Sequence, residues 1–437
     1  MQDRRRFLGA LAYPAAVAIA PACFTTTGAE RVRRTFADAH TQDPEDVARD
    51  ESRWFDVQQA FTCDRSVVNL NNGGVCPAPS VVQDAMRRHL EFSNAFPSHH
   101  LWQVLEPQKE TVRDGLARLF GCDLEEIAIT RNASESLQIC QLGIDLQRGD
   151  EVLTSDQDYP RMLTTFEQRA RREGIVVRKI KLPVPCEDTN RIVKLYEEQL
   201  GPRTKMILMC QVVNITGQRM PVKEVVALAR PRGIPVVVDG AHGFANLDFR
   251  HSDLDCDYYG TSLHKWLFAP HGTGMLYVRR EKIAGLWPLM AAGEKQDADI
   301  RKFEEIGTHP AANFLAIAEA LAFHQGIGPA IKEARLRYLR EYWLRRLLSN
   351  DRTRLNTSLK KEFSGTQANV RFEGLDTRAL AGWLWEKHKL YVIGIEHEAF
   401  NGLRVTPSVH NTLAELDRFV DALEEALEKG LPQETAK

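Results

Sequence analysis

The sequence predicts an α/β fold, in which a large doubly wound sheet of parallel or mixed strands is followed by a smaller α+β module. Three observations predict it: a length of 437 residues, a middle region where short apolar runs alternate with helical patterns, and a change of pattern after about Pro310. A chain of this length buries an ample core. Apolar runs without polar alternation are typical of strands that are buried on both faces of a parallel sheet.

The predicted strands of the large sheet lie between about Leu116 and Val278. In chain order, the apolar runs read EIAIT, DEVLTS, VVRKIKL, KMILMCQVV, IPVVVD and GMLYV. Helical segments between these runs complete β-α-β units, which place helices on both faces of the sheet.

The pattern after Pro310 predicts a second, smaller domain. Two long amphipathic stretches precede short strands at QANVRFEG, LYVIGIE and GLRVTPS, and a last helix begins near Leu413. We therefore predict a large domain at residues 97–309 and a small C-terminal domain at 310–437, with residues 30–96 packed against the small domain.

The N-terminal stretch DRRRFLGALAYPAAVAIAPA is typical of a Tat export signal. A twin arginine stands directly before Phe7 and Leu8, and the apolar run that follows, up to Ala20, is too short to span a bilayer comfortably. The alternative is a basic, frayed cytosolic terminus. We predict a signal at residues 1–29, the Tat translocase as a partner and a periplasmic location, and the sequence leaves cleavage or lipid anchoring open.

Composition argues against several other classes of function. The chain has 43% hydrophobic and 27% charged residues and a net charge of -2, which is typical of an ordinary soluble globular protein. The one dense basic run, Arg4 to Arg6, is not followed by any nucleic-acid-binding motif, so no nucleic-acid partner is expected. None of the eight cysteines stands in a metal-ligand spacing, so no metal is expected either.

The first candidate binding feature is the start of the helix that follows the strand Ile127–Thr130. Asn132 and Glu135 have the spacing of the N-cap and N3 residues of a capping box. The free N–H groups and the positive dipole end of such a helix can hold a phosphate, although most capped helices bind nothing.

Two further candidates are ionisable residues beside predicted strand ends. Asp239 ends the buried run IPVVVD, where a carboxylate is costly unless it is paired, although it could simply cap the turn. Lys265 lies in GTSLHKWLFAPHGTG, which we expect to be a loop, and most lysines are solvated surface residues. Ligands of such sheets bind beyond the carboxyl ends of the strands.

A strand-end carboxylate, a phosphate-binding helix start and a loop lysine are the groups that pyridoxal 5′-phosphate needs. The lysine bonds to the aldehyde, the carboxylate keeps the pyridine nitrogen protonated, and the helix holds the phosphate. The sequence therefore predicts this cofactor.

The stretches VVVDGAHGF and GTSLHKWLFAPHGTG resemble the cofactor motif of class V aminotransferases, a fold-type-I group of pyridoxal phosphate-dependent enzymes. The group includes cysteine desulfurases and isopenicillin N epimerase, and the resemblance runs from about Asn69 to Leu427. It implies the corresponding fold of a large and a small domain.

The resemblance assigns roles around the cofactor ring. It implies that Lys265 links to the cofactor, that Asp239 faces the pyridine nitrogen and that His242 bonds the ring hydroxyl. Tyr159 matches a residue that stacks on the ring, and its tyrosine is typical of the epimerase subgroup. Asn214 resembles an asparagine that bonds a cofactor oxygen or the substrate.

The resemblance also assigns the phosphate and substrate ligands. The implied phosphate ligands are Asn132, Ala133, Ser134, Ser262 and His264. Many relatives have glycine where this chain has Asn132, and the asparagine again resembles the epimerase subgroup. Thr308 matches a threonine that reaches the phosphate of the neighbouring subunit, which implies a homodimer with shared sites. Arg404 resembles the arginine that binds the α-carboxylate of the substrate, and Asn72 is a further candidate for the substrate pocket.

The resemblance leaves three reactions open, because each begins when Lys265 removes the α-proton of an amino acid. Return of that proton to the cofactor gives transamination, which we favour. Its return to the opposite face gives epimerisation and requires a second acid, and loss of a side-chain group makes the enzyme a C–S or β lyase. A cysteine desulfurase is argued against, since no cysteine follows Cys256 to form the persulfide.

The expected substrate is an amino acid or a small molecule that contains one. Similar Tat-exported proteins occur in siderophore maturation, where the glutamate attached to the pyoverdine chromophore is modified, so a siderophore precursor is a candidate. A non-catalytic binding protein is argued against by the joint presence of Lys265, Asp239 and Arg404.

Overall fold

A computed structural model describes residues 28–432, so nearly all of the predicted export signal at residues 1–29 lies outside the described residues. Two short helical segments, Pro97–His99 and the π-helical His100–Leu105, lead into the large sheet region. The α-helices outside this segment are α1 Gly28–Thr35, α2 Pro44–Arg49, α3 Glu51–Gln59, α4 Ser80–Ala95, α5 Lys109–Phe120, α6 Ala133–Gly143, α7 Pro160–Glu173, α8 Thr189–Glu197, α9 Val222–Ala229, α10 Ala311–Leu315, α11 Ile317–Ile327, α12 Pro329–Leu347, α13 Thr377–His388 and α14 Leu413–Lys429.

The strands form a seven-stranded sheet, a four-stranded sheet and one short pair, which confirms the predicted α/β class. The strands are β1 Val68–Asn69, β2 Ile127–Thr130, β3 Glu151–Ser155, β4 Val176–Ile180, β5 Thr204–Cys210, β6 Val236–Asp239, β7 Tyr258–Ser262, β8 Gly274–Val278, β9 Thr353–Leu355, β10 Ala368–Phe372, β11 Leu390–Tyr391, β12 Ile393–Glu396 and β13 Asn401–Val405.

The seven-stranded sheet has the order β2-β8-β7-β6-β5-β3-β4. All its strands are parallel except β8, which runs antiparallel to both β2 and β7. Strand β7 corrects one expectation, because residues 260–262 were expected to belong to a loop. Its sequence YYGTS lacks the Val- and Ile-rich pattern of its neighbours, yet all five residues are buried.

The strand order brings the functional strand ends together. In the register of the sheet, Cys210 of β5 lies opposite Asp239 of β6, which in turn lies opposite Gly260 of β7. Gly240, directly after β6, has no room for a side chain, since a Cβ there would lie 1.8 Å from the ring of Tyr259. The backbone directly after Asp239 therefore packs against the Tyr259 ring without an intervening side chain.

The four-stranded sheet, ordered β12-β13-β10-β9, is antiparallel and packs with α12, α13 and α14 around its own core. Trp343 of α12 and Phe419 of α14 meet there edge to face, with ring centroids 5.5 Å apart. This unit matches the predicted smaller α+β module.

The N-terminal segment contacts both units rather than the smaller one alone. Val32, Phe36 and Trp54, from α1 to α3, belong to the core of the large sheet region, whereas β1 pairs with β11 of the smaller unit. The predicted domain boundaries at residues 96 and 309 stay a prediction.

Among residues 28–432, no single helix is long and apolar enough to cross a membrane. Residues Ala311–Ile327, which contain α10 and α11, reach that length and composition only together with α12, and the two parts meet at an angle of 77°.

The start of β8 supports the start of α6. A Cβ on Gly274 would lie 2.6 Å from the backbone of Asn132, so the two backbones touch without an intervening side chain. The position of the helix start therefore depends on a glycine in a neighbouring strand.

We expect Gly274→Ala to lower the free energy of unfolding by roughly 1–3 kcal/mol, because the added methyl group must displace the Asn132 backbone. Urea unfolding of the cofactor-free protein measures this change. The matched control is Gly382→Ala in α13, where a Cβ meets no atom within 4 Å; it should raise stability by about 0.5–1 kcal/mol. If the two variants were equally stable, the close approach of Gly274 to the Asn132 backbone would not constrain the structure as argued.

Candidate active site

The start of α6 is tied to the end of β7. Asn132 caps the helix, since its Oδ1 accepts a hydrogen bond of 2.9 Å from the Glu135 amide. The Ala133 amide donates to Ser262 Oγ over 2.9 Å. The expected reciprocal bond of the capping box is not formed, because the Glu135 carboxylate accepts from the Arg131 amide and guanidinium instead.

Asp239 and Lys265 are two ionisable groups that line the same cavity. Asp239 is 7% exposed, and its Oδ1 accepts a hydrogen bond of 2.9 Å from the Ala241 amide. Burial raises the pKa of Asp239 to about 6, although the Ala241 amide and Lys265 act in the opposite direction. Burial lowers the pKa of Lys265 to about 8, against the effect of Asp239. The amine is therefore still mostly protonated at pH 7, but the neutral, nucleophilic form is far more populated than for an ordinary lysine.

His242 contacts the candidate catalytic lysine directly. Its Nε2 lies 3.2 Å from Lys265 Nζ, and its Nδ1 lies 3.4 Å from Nε2 of Gln367. Burial, with Lys265 and Arg404 as further causes, holds the pKa of His242 well below its ordinary value, so the ring is neutral. Gln367 was not predicted, because a glutamine in a C-terminal strand segment carries no sequence signal for this contact.

Arg404 carries a buried positive charge without an anionic partner. It is 8% exposed, and its guanidinium donates to Asn71 Oδ1 over 2.7 Å and to the Asn214 carbonyl over 3.3 Å. No carboxylate of the described chain pairs with it, and burial lowers its pKa to about 10. An uncompensated buried charge is costly, so the guanidinium is suited to bind an anion.

The structure places Asn72 away from the cavity and brings its neighbour Asn71 to Arg404. Asn72 is fully buried, and its amide donates to the carbonyls of Asn69 and Thr406 and to Asn411 Oδ1. Because these hydrogen bonds use the Asn72 amide group within the protein, they argue against the expected contact of Asn72 with the substrate. The two asparagines are adjacent in NLNNGG, and the sequence does not show which of them faces the site.

Asp158 is a third residue of the site, after Gln367 and Asn71, whose role was not predicted. Its carboxylate is 3% exposed and accepts hydrogen bonds from Thr154 Oγ1, the Ser155 amide and the Cys210 amide. It thereby joins the ends of β3 and β5 and holds the turn that presents Tyr159, whose side chain is 41% exposed.

A cavity of about 270 Å³ brings most of the predicted site residues together. The predicted residues that line it are Asn132, Ala133, Ser134, Tyr159, Asn214, Asp239, His242, Ser262, His264, Lys265 and Arg404. Thr308 lies elsewhere, in a second cavity of about 620 Å³ that Trp102 and Arg301 also line. Its contribution to a neighbouring subunit stays a prediction.

The groups around the first cavity fit pyridoxal 5′-phosphate. Asn214 Oδ1, His264 Nδ1 and Arg404 Nε are buried and have no hydrogen-bond partner within residues 28–432. Buried polar atoms without partners are costly, so these atoms are available to a ligand. The start of α6 suits the phosphate, Asp239 suits the ring nitrogen, and the Lys265 amine suits the aldehyde.

Comparison with known proteins agrees with this assignment. The model of the class-V aminotransferase family matches residues 68–419. Isopenicillin N epimerases of Streptomyces clavuligerus and Amycolatopsis lactamdurans are 30% and 31% identical to the chain, over 85% of its length and 98% of theirs. A probable cysteine desulfurase of Vibrio cholerae is 27% identical, over 86% of the chain and 97% of its own length.

Solved structures show the same fold. A cysteine desulfurase from Thermococcus onnurineus NA1 superimposes with a TM-score of 0.75 and 22% identity, over 86% of this chain and 98% of that one. The matched segment contains every residue that lines the cavity. The chain therefore belongs to the class-V aminotransferase family, and its cofactor is pyridoxal 5′-phosphate.

Proposed function

We propose that the protein is an aminotransferase-type enzyme that acts at the α-carbon of an amino acid. The observation that carries the proposal is the partly buried Lys265, whose amine is the one amine among the described residues that line the cavity. Transamination requires only one base at the reacting carbon, which removes a proton and delivers it to a second carbon. A site with one amine meets that requirement.

The residues around Lys265 have separable tasks. When bound, the cofactor supplies an electron-withdrawing ring that stabilises negative charge on the α-carbon. Lys265 Nζ takes up and releases the proton, and His242 Nε2, at 3.2 Å, helps to orient that amine. The Asp239 carboxylate is 7% exposed, so it would stabilise the positive charge of the ring nitrogen with little competition from water.

Arg404 specifies the kind of substrate. Its buried guanidinium has an unpartnered Nε, and its other contacts are neutral oxygens of Asn71 and Asn214. A planar guanidinium binds a carboxylate through two parallel hydrogen bonds. We therefore propose a substrate with a free α-carboxylate.

Epimerisation is the second candidate, because isopenicillin N epimerases match the chain over 98% of their own length. It requires an acid on the opposite face of the α-carbon, and Tyr159, which lines the cavity and is partly exposed, is the described residue best suited to that task. A desulfurase that uses a C-terminal cysteine is disfavoured, since the last cysteine is Cys256, which is fully buried.

The cellular setting and the assembly are further parts of the proposal. The twin arginine before Phe7 supports export by the Tat translocase to the periplasm, where a siderophore precursor that carries an amino acid is a candidate substrate. A homodimer in which Thr308 reaches the site of the neighbouring subunit accounts for the distance of this residue from the Lys265 cavity.

Incubation of the holoenzyme with α-amino acids in deuterated water tests the reaction. We expect a keto acid and deuterium at the α-carbon of the recovered substrate. Amines that lack the α-carboxylate should react at least about 100-fold more slowly, because Arg404 then stays unpaired. Inverted chirality without a keto acid would instead establish epimerisation, and loss of a side-chain group would establish a lyase.

Capture of the cofactor by the cofactor-free protein should accelerate as the pH rises towards about 8 and then level off. Burial lowers the pKa of Lys265 to about 8, and the neutral form that reacts with the aldehyde predominates above this pH. Stopped-flow absorbance measures the rate. Lys265→Ala should form no covalent link, whereas Lys205→Ala, at an exposed position, should behave as the native protein does. A rate that falls between pH 6 and 8 would refute this role for the amine.

A reporter protein fused behind residues 1–29 should reach the periplasm in cells that have the Tat translocase. The substitution of Arg5 and Arg6 by lysine should block this export, because the pathway recognises the arginine pair. Cell fractionation measures the distribution. Retention of the unaltered fusion in the cytoplasm would rule out the export signal but would leave the proposed reaction untouched.

A further inference from the structure

A row of three side chains leads from the smaller sheet into the active site. Gln367 directly precedes β10, and its Nε2 lies 3.4 Å from His242 Nδ1. His242 Nε2 lies 3.2 Å from Lys265 Nζ. Gln367 is fully buried and His242 is 4% exposed, so water does not substitute for these contacts.

The surroundings of Gln367 determine which way its amide faces. Its Nε2 lies 3.4 Å from the Val213 carbonyl as well as from His242 Nδ1. A carbonyl oxygen only accepts hydrogen bonds, so the NH₂ group must face it, and the reverse orientation would place two oxygens against each other. The other amide atom, Oε1, has no partner among the described side chains and backbone.

The backbone around Gln367 leaves the side chain little freedom to turn. A Cβ on Gly217 would lie 2.8 Å from the Gln367 carbonyl oxygen and 3.0 Å from its Cγ, and Gly217 has a φ of +75° that favours glycine. A Cβ on Gly365 would lie 3.2 Å from Gln367 Oε1. Glycines on both sides thus allow a close fit around the amide.

A donated hydrogen bond at Nδ1 fixes the proton of His242. A neutral imidazole carries one proton, and a nitrogen that accepts a hydrogen bond cannot hold it. The proton then sits on Nε2, which faces Lys265. Burial disfavours a second proton on the ring, and the ionisable groups that face His242, Lys265 and Arg404, act in the same direction because neither brings a negative charge.

We propose that Gln367 is a positioning residue that holds His242 in the Nε2-protonated tautomer, so that the histidine presents a hydrogen-bond donor to the cavity. Lys265 Nζ accepts this hydrogen bond in the cofactor-free protein where its amine is neutral, which is above its pKa of about 8. In the family resemblance His242 bonds the ring hydroxyl of the cofactor, and the same donor suits that oxygen. Glutamine does not titrate, so the hydrogen bond that it donates to Nδ1 does not itself change with pH.

The inference does not depend on which reaction the enzyme catalyses, because it is tested in the cofactor-free protein. Nitrogen-15 NMR of histidine-labelled protein distinguishes a protonated from an unprotonated ring nitrogen, and the spectrum of His242→Gln assigns the signal. At a pH about one unit or more above the Lys265 pKa of about 8, where the amine is neutral, we expect His242 to carry its proton on Nε2. A proton on Nδ1 in the unaltered protein would overturn the proposal without any variant of Gln367.

The variants Gln367→Met and Gln367→Glu distinguish the effect of the Gln367 amide group from the effect of the size of the side chain. Methionine removes the donor, so we expect a mixture of tautomers, and the carboxylate of glutamate should draw the proton to Nδ1. The matched control is Gln141→Met, since Gln141 is also fully buried, donates to a carbonyl and has an unpartnered Oε1, but does not contact His242. This control should leave the tautomer unchanged.

The holoenzyme gives a second measurement. The pH at which the absorbance band of the bound cofactor changes should shift in Gln367→Met and not in Gln141→Met, because only the former loses the donor at His242. Turnover should fall by about 10- to 100-fold, as when outer partners of metal-bound histidines are removed. If Gln367→Met folds and keeps both the native tautomer and the native pH dependence of the band, the residue is structural and the proposal fails.

Discussion

Three ionisable groups without ionic partners in the described chain share one buried cavity, and the surrounding structure serves to hold them there. Burial is the main cause that drives both Asp239 and Lys265 towards their neutral forms, and it leaves Arg404 with an uncompensated charge. In the protein alone these arrangements cost free energy. A ligand that brings a cationic ring nitrogen, an aldehyde and, through the substrate, a carboxylate offsets all three costs at once, which makes the site selective for that combination.

The two sheets contribute different parts of this site. The seven-stranded sheet supplies the groups that face the cofactor, because β5, β6 and β7 are neighbours and their carboxyl ends meet. The four-stranded sheet supplies Arg404 from β13 and Gln367 before β10, and Asn369 of β10 lies opposite Arg404 and donates to the Ile215 carbonyl over 3.0 Å. Recognition of the substrate and orientation of His242 therefore both depend on how the smaller unit docks against the loop after β5.

The fold and the reacting groups were predictable because they follow from local patterns. Apolar runs marked most strands, and a carboxylate at the end of one of them marked Asp239. Strand β7 was missed in part because a small, polar sequence is buried there by its neighbours. Gln367, Asn71 and Asp158 were missed for a different reason: each acts through a partner that is distant in sequence, such as Gln367 with His242, 125 positions away. Such contacts are determined by tertiary packing, so no local sequence pattern predicts them.

The choice among the three reactions of this family is a question of where one proton goes. Every route begins with the same base, and Lys265, His242, Asp239 and Arg404 serve each of them equally. A hydrogen-bond donor at His242, as proposed above, orients the lysine amine in the same way in every route and does not select among them. An epimerase also needs an acid on the face of the α-carbon opposite to Lys265. The side chain on that opposite face, and not the lysine, therefore decides the product.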